Sequence, residues 1–287
     1  VVAVGQPTPD GRVCVGAATD VGRHRTHNED TFLVRSDLHL WAVADGMGGH
    51  RAGDVASAMV ALSLGNFFEA TEASRWDGYT APADEALPAP ARRLAASVRK
   101  ANGDVHAISM LHGRHFGMGS TVVACHLPPG SNELWIAHVG DSRCYRLRNG
   151  RLEQLTRDHS LVNEARLLDP ELTEEQLSRL PTNIITRALG MSDAVEVDVR
   201  SVDARAGDLF LLCSDGLTGM VSDAEILEAL ELLDEPEEAA AVLVELANDA
   251  GGVDNVTVLL LRVDATPEDA PIDEPTVEES PQDPSRG

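Results

Sequence analysis

Four aspartates share one local setting. Asp45 closes the run WAVAD, Asp141 follows IAHVG, Asp215 closes FLLCSD, and Asp254 immediately precedes NVTVLLL, so each stands where an apolar run begins or ends, beside glycine or another turn-forming residue. A single Asp at such a place marks a turn. Four of them would gather carboxylates along one edge of stacked sheets, where they repel one another unless divalent cations neutralise them. Hard oxygen donors of this kind suit Mg²⁺ or Mn²⁺. Gly46 adds to the pattern, because without Cβ its backbone can approach a metal and offer the carbonyl oxygen.

Positioning such an edge takes strands. Strand-like runs cover 13–22, 31–37, 38–45, 120–127, 133–140, 144–156 (turned at Asn149-Gly150), 195–202, 208–215 and 255–263. Helical periodicity covers about 53–69, 91–111, 223–232 and 236–249, with Ser222 or Asp223 as N-cap of the third. Helices therefore come in two blocks, one before residue 112 and one after 222. Blocks of this kind predict an α+β fold with antiparallel sheets covered by helix pairs. Residues 1–12 read as an N-terminal extension, 71–90 as an irregular surface insertion rich in Ala and Pro, and Asp20 as a turn cap. The segment 264–287 carries eight acidic residues, one arginine and five prolines, and is expected to be a disordered acidic tail.

Composition narrows the function classes. A hydrophobic content of 43% supports a sizeable core, and an aromatic content of 3% makes that core aliphatic. The formal net charge of −24, with no basic block, argues against nucleic acid as a partner. The longest apolar run, DLFLLCSDGL, falls short of the roughly 20 residues of a membrane span. No signal-peptide pattern opens the chain. Cys14, Cys125, Cys144 and Cys213 fall in strand-like runs without CxxC spacing, which favours buried free thiols over disulfides or a zinc site. A reducing cytoplasm fits that usage.

An ordered set of motifs then becomes visible. RTHNED (25–30), VADGMGGHRAGDVAS (43–57), GMGSTVV (117–123), AHVGDSRCYRLRNG (137–150), LTRDHSLV (155–162), ITRALG (185–190), LLCSDGLT (211–218) and DNVTVLLL (254–261) resemble, in sequence, the motifs of the metal-dependent Ser/Thr protein phosphatases, the PPM or phosphatase-2C family. The resemblance covers about residues 13–263 and is nearest to bacterial members, because Met47 stands where animal members carry His. It implies a four-layer αββα sandwich, two antiparallel sheets flanked by helix pairs.

By the same resemblance, Asp45 bridges two metal ions, the Gly46 carbonyl binds the second, and Asp215 and Asp254 complete the first. Asp141 joins Asp215 in holding a weaker third ion, against the alternative of a turn-capping Asp. A water shared by the two core ions attacks phosphorus in line. Arg25 is assigned to the phosphate, whose oxygens its guanidinium fork matches, and Glu29 and Asp30 hold metal-bound waters. With the family histidine replaced by Met47, His50 is the nearest general acid, a metal-bound water being the alternative. His159 reads as a structural hydrogen-bonding residue.

Residues 163–186 correspond to the family's flap, in which DPELTEEQLSRL predicts a short capped helix with Pro170 near its start. Three function classes follow. The first is a Mn²⁺- or Mg²⁺-dependent phosphatase of phosphorylated proteins, monomeric, opposing a bacterial Ser/Thr kinase. The second is a dedicated phosphatase of one small regulatory partner, such as an anti-sigma-factor antagonist. The third is a catalytically dead binding module, against which the complete carboxylate set and Arg25 count.

Overall fold

Period-two alternation along the central strands sorts side chains between two different cores. In the computed structural model, which describes residues 2–5, 7–48, 52–71, 79–111, 117–181 and 183–265, strand β4 (Leu40–Met47) sends Leu40, Ala42 and Ala44 toward one hydrophobic cluster and Trp41 and Val43 toward another. Strand β12 (Val256–Val263) divides Val256, Val258 and Leu260 from Leu259, Leu261 and Val263 in the same way. A strand that buries both faces must read as a continuous apolar run, and both do.

The remaining strands are β1 (Val2–Gly5), β2 (Val13–Asp20), β3 (Asp30–Arg35), β5 (Gly119–Ser120), β6 (Val122–His126), β7 (Glu133–Val139), β8 (Arg143–Arg148), β9 (Arg151–Gln154), β10 (Asp198–Asp203) and β11 (Leu209–Cys213). One sheet has the order β1-β2-β12-β11-β8-β9 and the other β10-β7-β6-β4-β3, with β5 paired to β4. Every pairing is antiparallel.

Helices α1 (Ala52–Thr71) and α2 (Ala89–Leu111) cover the second sheet, and α6 (Asp223–Leu232) and α7 (Pro236–Asp249) cover the first. Three clusters, one between the sheets and one under each helix pair, make the four expected layers. Ser222 is the N-cap of α6, closed by a capping box with Glu225. No described helix is long and apolar enough to cross a membrane.

Local details depart from the sequence reading in instructive ways. The N-terminal residues contribute β1, an edge strand on β2. Strands β3 and β4 are separated by a 3₁₀ turn at Ser36–Leu38, with His39 in the left-handed region at φ 50°, a turn that carries no glycine or proline to announce it. The hairpin at Asn149-Gly150 does have positive φ at both residues. Asp20 accepts a hydrogen bond from the Gly22 N–H at 3.0 Å, the expected turn cap.

In the flap, the helix expected over 169–180 is a single turn, α4 (Glu174–Leu177), capped by Thr173 and Gln176. Pro170 stays outside it, in the turn after α3 (Leu161–Leu168). Within 71–90, α1 runs on through Thr71, and a 3₁₀ turn at Pro82–Asp84 is pinned to α2 by the Arg99–Asp84 ion pair. The tail from 266 onward lies outside the described residues.

Candidate active site

Antiparallel register brings the acidic residues to one edge. Asp30 and Asp45 are directly opposed on β3 and β4. The end of β7 leads to Asp141, the end of β11 to Asp215 at the start of α5 (Asp215–Thr218), and Asp254 precedes β12. Cys213 on β11 pairs with Val258 on β12, and Val43 on β4 pairs with Val123 on β6, so these strand ends lie on the same side of their sheets.

The carboxylates sit in an environment that does not satisfy them. Asp30 Oδ2 accepts a hydrogen bond from Ser214 Oγ at 2.7 Å, but its Oδ1, together with Asp141 Oδ1 and Asp215 Oδ1, is buried without a partner among the described residues. Burial, and then repulsion from neighbouring aspartates, pushes the Asp30 and Asp141 carboxyls up to about 7. Burial and the charges of Asp30, Asp215, Asp141 and Asp254 raise Asp45 well above the carboxylate range, and burial and Asp254 raise Asp215. Buried oxygens left over in a group of mutually repelling acids fit divalent cations, which take oxygen ligands and remove the repulsion. The donor set therefore suits the metal that the sequence implies.

Gly46 is required by packing as well as by chemistry. A Cβ there would lie 2.0 Å from the Gly53 carbonyl oxygen and 2.6 Å from that of Glu29, so only glycine lets the first turn of α1 close on the end of β4. The Gly46 N–H donates to the Glu29 carbonyl at 3.0 Å. Glu29 stands against Gly53 with its carboxyl raised, chiefly by burial, although Arg25 opposes the shift. Arg25 is about half exposed at the rim and donates from Nη2 to Asp254 Oδ2 at 2.7 Å. His50 lies outside the described residues.

Several supports escaped the sequence reading. The Asn255 side chain donates to the carbonyls of Val21 and His27, both at 2.9 Å, and accepts from the Glu29 N–H at 2.8 Å, fastening the segment that carries Arg25 and Glu29. Ser214, fully buried, accepts from the Thr257 N–H at 3.0 Å while donating to Asp30. Thr121 Oγ1 accepts from the Asp45 N–H at 3.1 Å and lies 2.7 Å from Ser142 Oγ, joining the Asp45 and Asp141 turns. The partners lie well away in sequence; Ser214 and Asn255 each adjoin an Asp, and Thr121 has no such hint.

His159 is structural, as expected. Its Nδ1 accepts from the Gly140 N–H at 3.0 Å, and its Nε2 lies 3.1 Å from Arg187 Nη1 and 3.4 Å from Asp198 Oδ2. His138, His159 and Asp198 could be grouped as metal ligands by distance. However, Arg187 Nη1 sits 2.7 Å from Asp198 Oδ1, and His138 Nε2 donates to the Arg157 carbonyl at 2.9 Å. That cluster already contains its cation.

The family model described as protein phosphatase 2C matches residues 22–249. The serine/threonine phosphatase stp of Listeria monocytogenes is 42% identical over 252 residues, covering 86% of this chain and 95% of that one. The serine/threonine protein phosphatase PstP of Mycobacterium tuberculosis is 40% identical over 251 residues, which are 86% of this chain and 44% of that one. Among solved structures, M. tuberculosis PstP/Ppp superposes with a TM-score of 0.76 at 37% identity, covering 88% of this chain and 100% of that chain. A PstP catalytic domain in complex with two manganese ions gives a TM-score of 0.74 at 37% identity, covering 88% of this chain and 99% of that chain.

Proposed function

Because the chain belongs to the protein phosphatase 2C family and is a metal-dependent protein-serine/threonine phosphatase, we propose a division of labour along its carboxylate edge. Asp45, the Gly46 carbonyl, Asp215 and Asp254 would hold two core cations, and Asp141 with Asp215 would hold a weaker third. When bound, Mn²⁺ or Mg²⁺ supplies water activation and charge screening for in-line attack on phosphorus.

The protein's own residues do the rest. Arg25, at the rim, receives the phosphoryl oxygens with the guanidinium donors that Asp254 does not engage. Glu29 and Asp30 accept hydrogen bonds from water in the site, Asp30 held in orientation by Ser214. His50, the histidine closest in sequence to Met47, is assigned to protonate the leaving alkoxide, a metal-bound water being the alternative. Substrates are phosphorylated proteins, the chain works as a cytoplasmic monomer, and a Ser/Thr kinase supplies the phosphate it removes. The described cysteines, all four of them free thiols, are consistent with that compartment.

The observation carrying the reading is the set of buried, unpartnered carboxylate oxygens on Asp30, Asp141 and Asp215. Phosphoserine and phosphothreonine peptides should be hydrolysed with Mn²⁺, lose turnover in excess chelator and recover it on readdition. Hydrolysis undiminished by chelator would refute the assignment of these residues to metal.

A further inference from the structure

Beside the carboxylate edge lies a small hollow of about 230 Å³, in which Met47, Ile185, Met191 and Val195 form an apolar wall facing the polar side chains of Arg187 and Glu196. The two methionines of that wall pack close to Gly119. A Cβ on Gly119 would lie 3.3 Å from Met191 Sδ, 3.4 Å from Met47 Cγ and 2.9 Å from the Leu189 carbonyl oxygen, so both methionines converge over that glycine. Arg187, the cation in the lining, is already shared between Asp198 at 2.7 Å and Glu196 at 3.3 Å, which leaves no positive charge over for an acidic side chain. An anionic ligand therefore finds no spare counter-charge there.

The hollow is continuous with the catalytic edge through the backbone. Met47 lies two residues beyond Asp45 on β4, and Gly46 and Met47 pair with Ser120 and Gly119 of β5. Ser120 Oγ donates to the Asp45 carbonyl at 3.0 Å, which ties the same short strand to the proposed bridging ligand. Two residues of extended strand span roughly 7 Å, and an extended substrate advances about 3.4 Å per residue. Side chains one to three positions from the phosphorylated residue can therefore reach the hollow. On the other flank, the space of about 400 Å³ beside Asp141 and Asp215 is lined by Ser160, Asn163 and Arg166, and is polar.

We infer that the Met47–Met191 hollow is a specificity subsite that receives one apolar side chain of the phosphoprotein substrate, flanking its phosphoserine or phosphothreonine. This rests on the phosphatase reading of the adjoining edge. A volume of this size is below that of pockets for drug-sized ligands and suits a single Leu-, Met- or Phe-sized side chain. Methionine walls adjust to several apolar shapes, so the preference is for a class of side chain. Met191 is 58% exposed, and capping it with a substrate side chain removes apolar surface from water.

The test is a panel of phosphothreonine peptides, identical except that one position from −3 to +3 carries Leu, Phe, Ser or Asp, assayed for kcat/KM with Mn²⁺. At one position, Leu and Phe should exceed Ser and Asp by about tenfold to a hundredfold, the range expected for burying an apolar side chain in a fitted pocket. Met191→Asp should collapse that ratio and Met191→Leu should keep it; the ratio is read within each variant and so is independent of how much enzyme folds. Wild-type hydrolysis of all peptides with no apolar preference at any position would overturn the subsite while leaving the phosphatase reading standing. A preference that survives Met191→Asp unchanged would likewise overturn it. Failure of the wild type to hydrolyse any peptide with Mn²⁺ would remove the underlying reading, and the subsite with it.

Discussion

Acidic side chains meet two different fates in this molecule. Asp208, 1% exposed, accepts Arg148 Nε at 2.6 Å, Arg148 Nη2 at 2.5 Å and the Arg205 N–H at 2.8 Å. Asp198, hydrogen-bonded by His159 and Arg187, has its carboxyl held below the ordinary range. Along the other edge, Asp30, Asp45, Asp141 and Asp215 face chiefly one another, and their carboxyls are raised. At Asp208 and Asp198 the chain supplies an arginine or histidine. At the proposed catalytic edge it supplies carboxylates without enough internal cations, as a site for bound cations would require.

The sharpest way to break this contrast is Asp45→Asn. If Asp45 serves bound cations, losing its charge should cost several kcal/mol of transition-state stabilisation, on the order of a thousandfold in kcat/KM, with the melting temperature in chelator unchanged or raised. Metal-loaded, folded Asp45→Asn protein with near-normal turnover would remove the contrast altogether.

Arg148→Met should behave oppositely. It leaves the Asp208 carboxylate buried without its partner, a loss of about 3–5 kcal/mol that should lower the melting temperature by roughly 10 °C. Phosphatase activity per folded molecule should stay near wild type. Denaturant melts paired with kcat/KM distinguish the two, and a variant that lost activity without stability would show that Asp208 is not purely architectural.

Arg25→Ala comes next. Arg25 touches Asp254 but is half exposed, so its removal should raise KM about ten- to a hundredfold with a smaller change in kcat, as expected for loss of a charge-assisted bond made to ground and transition states alike. An unchanged KM on both p-nitrophenyl phosphate and phosphopeptides would return Arg25 to a surface ion pair.

A smaller effect should appear in pH. Asp30 and Asp141, raised to about 7, keep protons in the folded metal-free protein that the unfolded chain has shed, so stability in chelator should fall as pH rises from about 4 to 7. Asp198 runs the other way, since a depressed carboxyl stabilises at neutral pH and loses that contribution only in acid. Saturating Mn²⁺ should flatten or reverse the slope, because cations bind the ionised carboxylates. Urea midpoints from pH 5 to pH 8, with and without Mn²⁺, read this directly, and a flat profile in chelator would contradict the raised carboxyls.

The sequence exposed one side of this contrast better than the other. Asp45, Asp141, Asp215 and Asp254 stood out because each ends or precedes an apolar run, and the two-block arrangement of helices was enough to imply paired sheets. Gly46 stood out for an incomplete reason, since the approach of Gly53 that demands it depends on how α1 docks. Asn255, Ser214 and Thr121 were invisible because their roles are contacts across 21 to 234 residues of chain. Partnering by Arg148 or Arg187 was equally hidden, as a lone arginine in a strand or loop announces no carboxylate. Local pattern finds which acids cluster; only the fold says which of them are already paired.

Asp141→Ala tests the boundary between the two kinds of acid and should have the smallest effect on the core. Asp141 belongs to the unpaired group by its orphaned Oδ1 and raised carboxyl, yet its turn is braced like an architectural one, by His159 on Gly140 and by Ser142 against Thr121. Those braces use backbone groups and neighbouring side chains, so deleting the carboxylate should leave the turn in place. Removing one of several repelling charges should hold or slightly raise stability in chelator. Two tightly bound Mn²⁺ ions should remain, with a weak third lost, since Asp45 and Asp254 do not depend on Asp141. Activity should fall several-fold, about tenfold at most, on p-nitrophenyl phosphate, whose phenolate departs without help. The fall should be greater on phosphopeptides, whose alkoxide needs a proton, if the Asp141 end of the edge serves the leaving oxygen. Kinetics on both substrates across a Mn²⁺ titration, with metal stoichiometry, decide the matter: equal losses would take Asp141 away from the leaving group, and no loss on either would place it with the turn-capping aspartates.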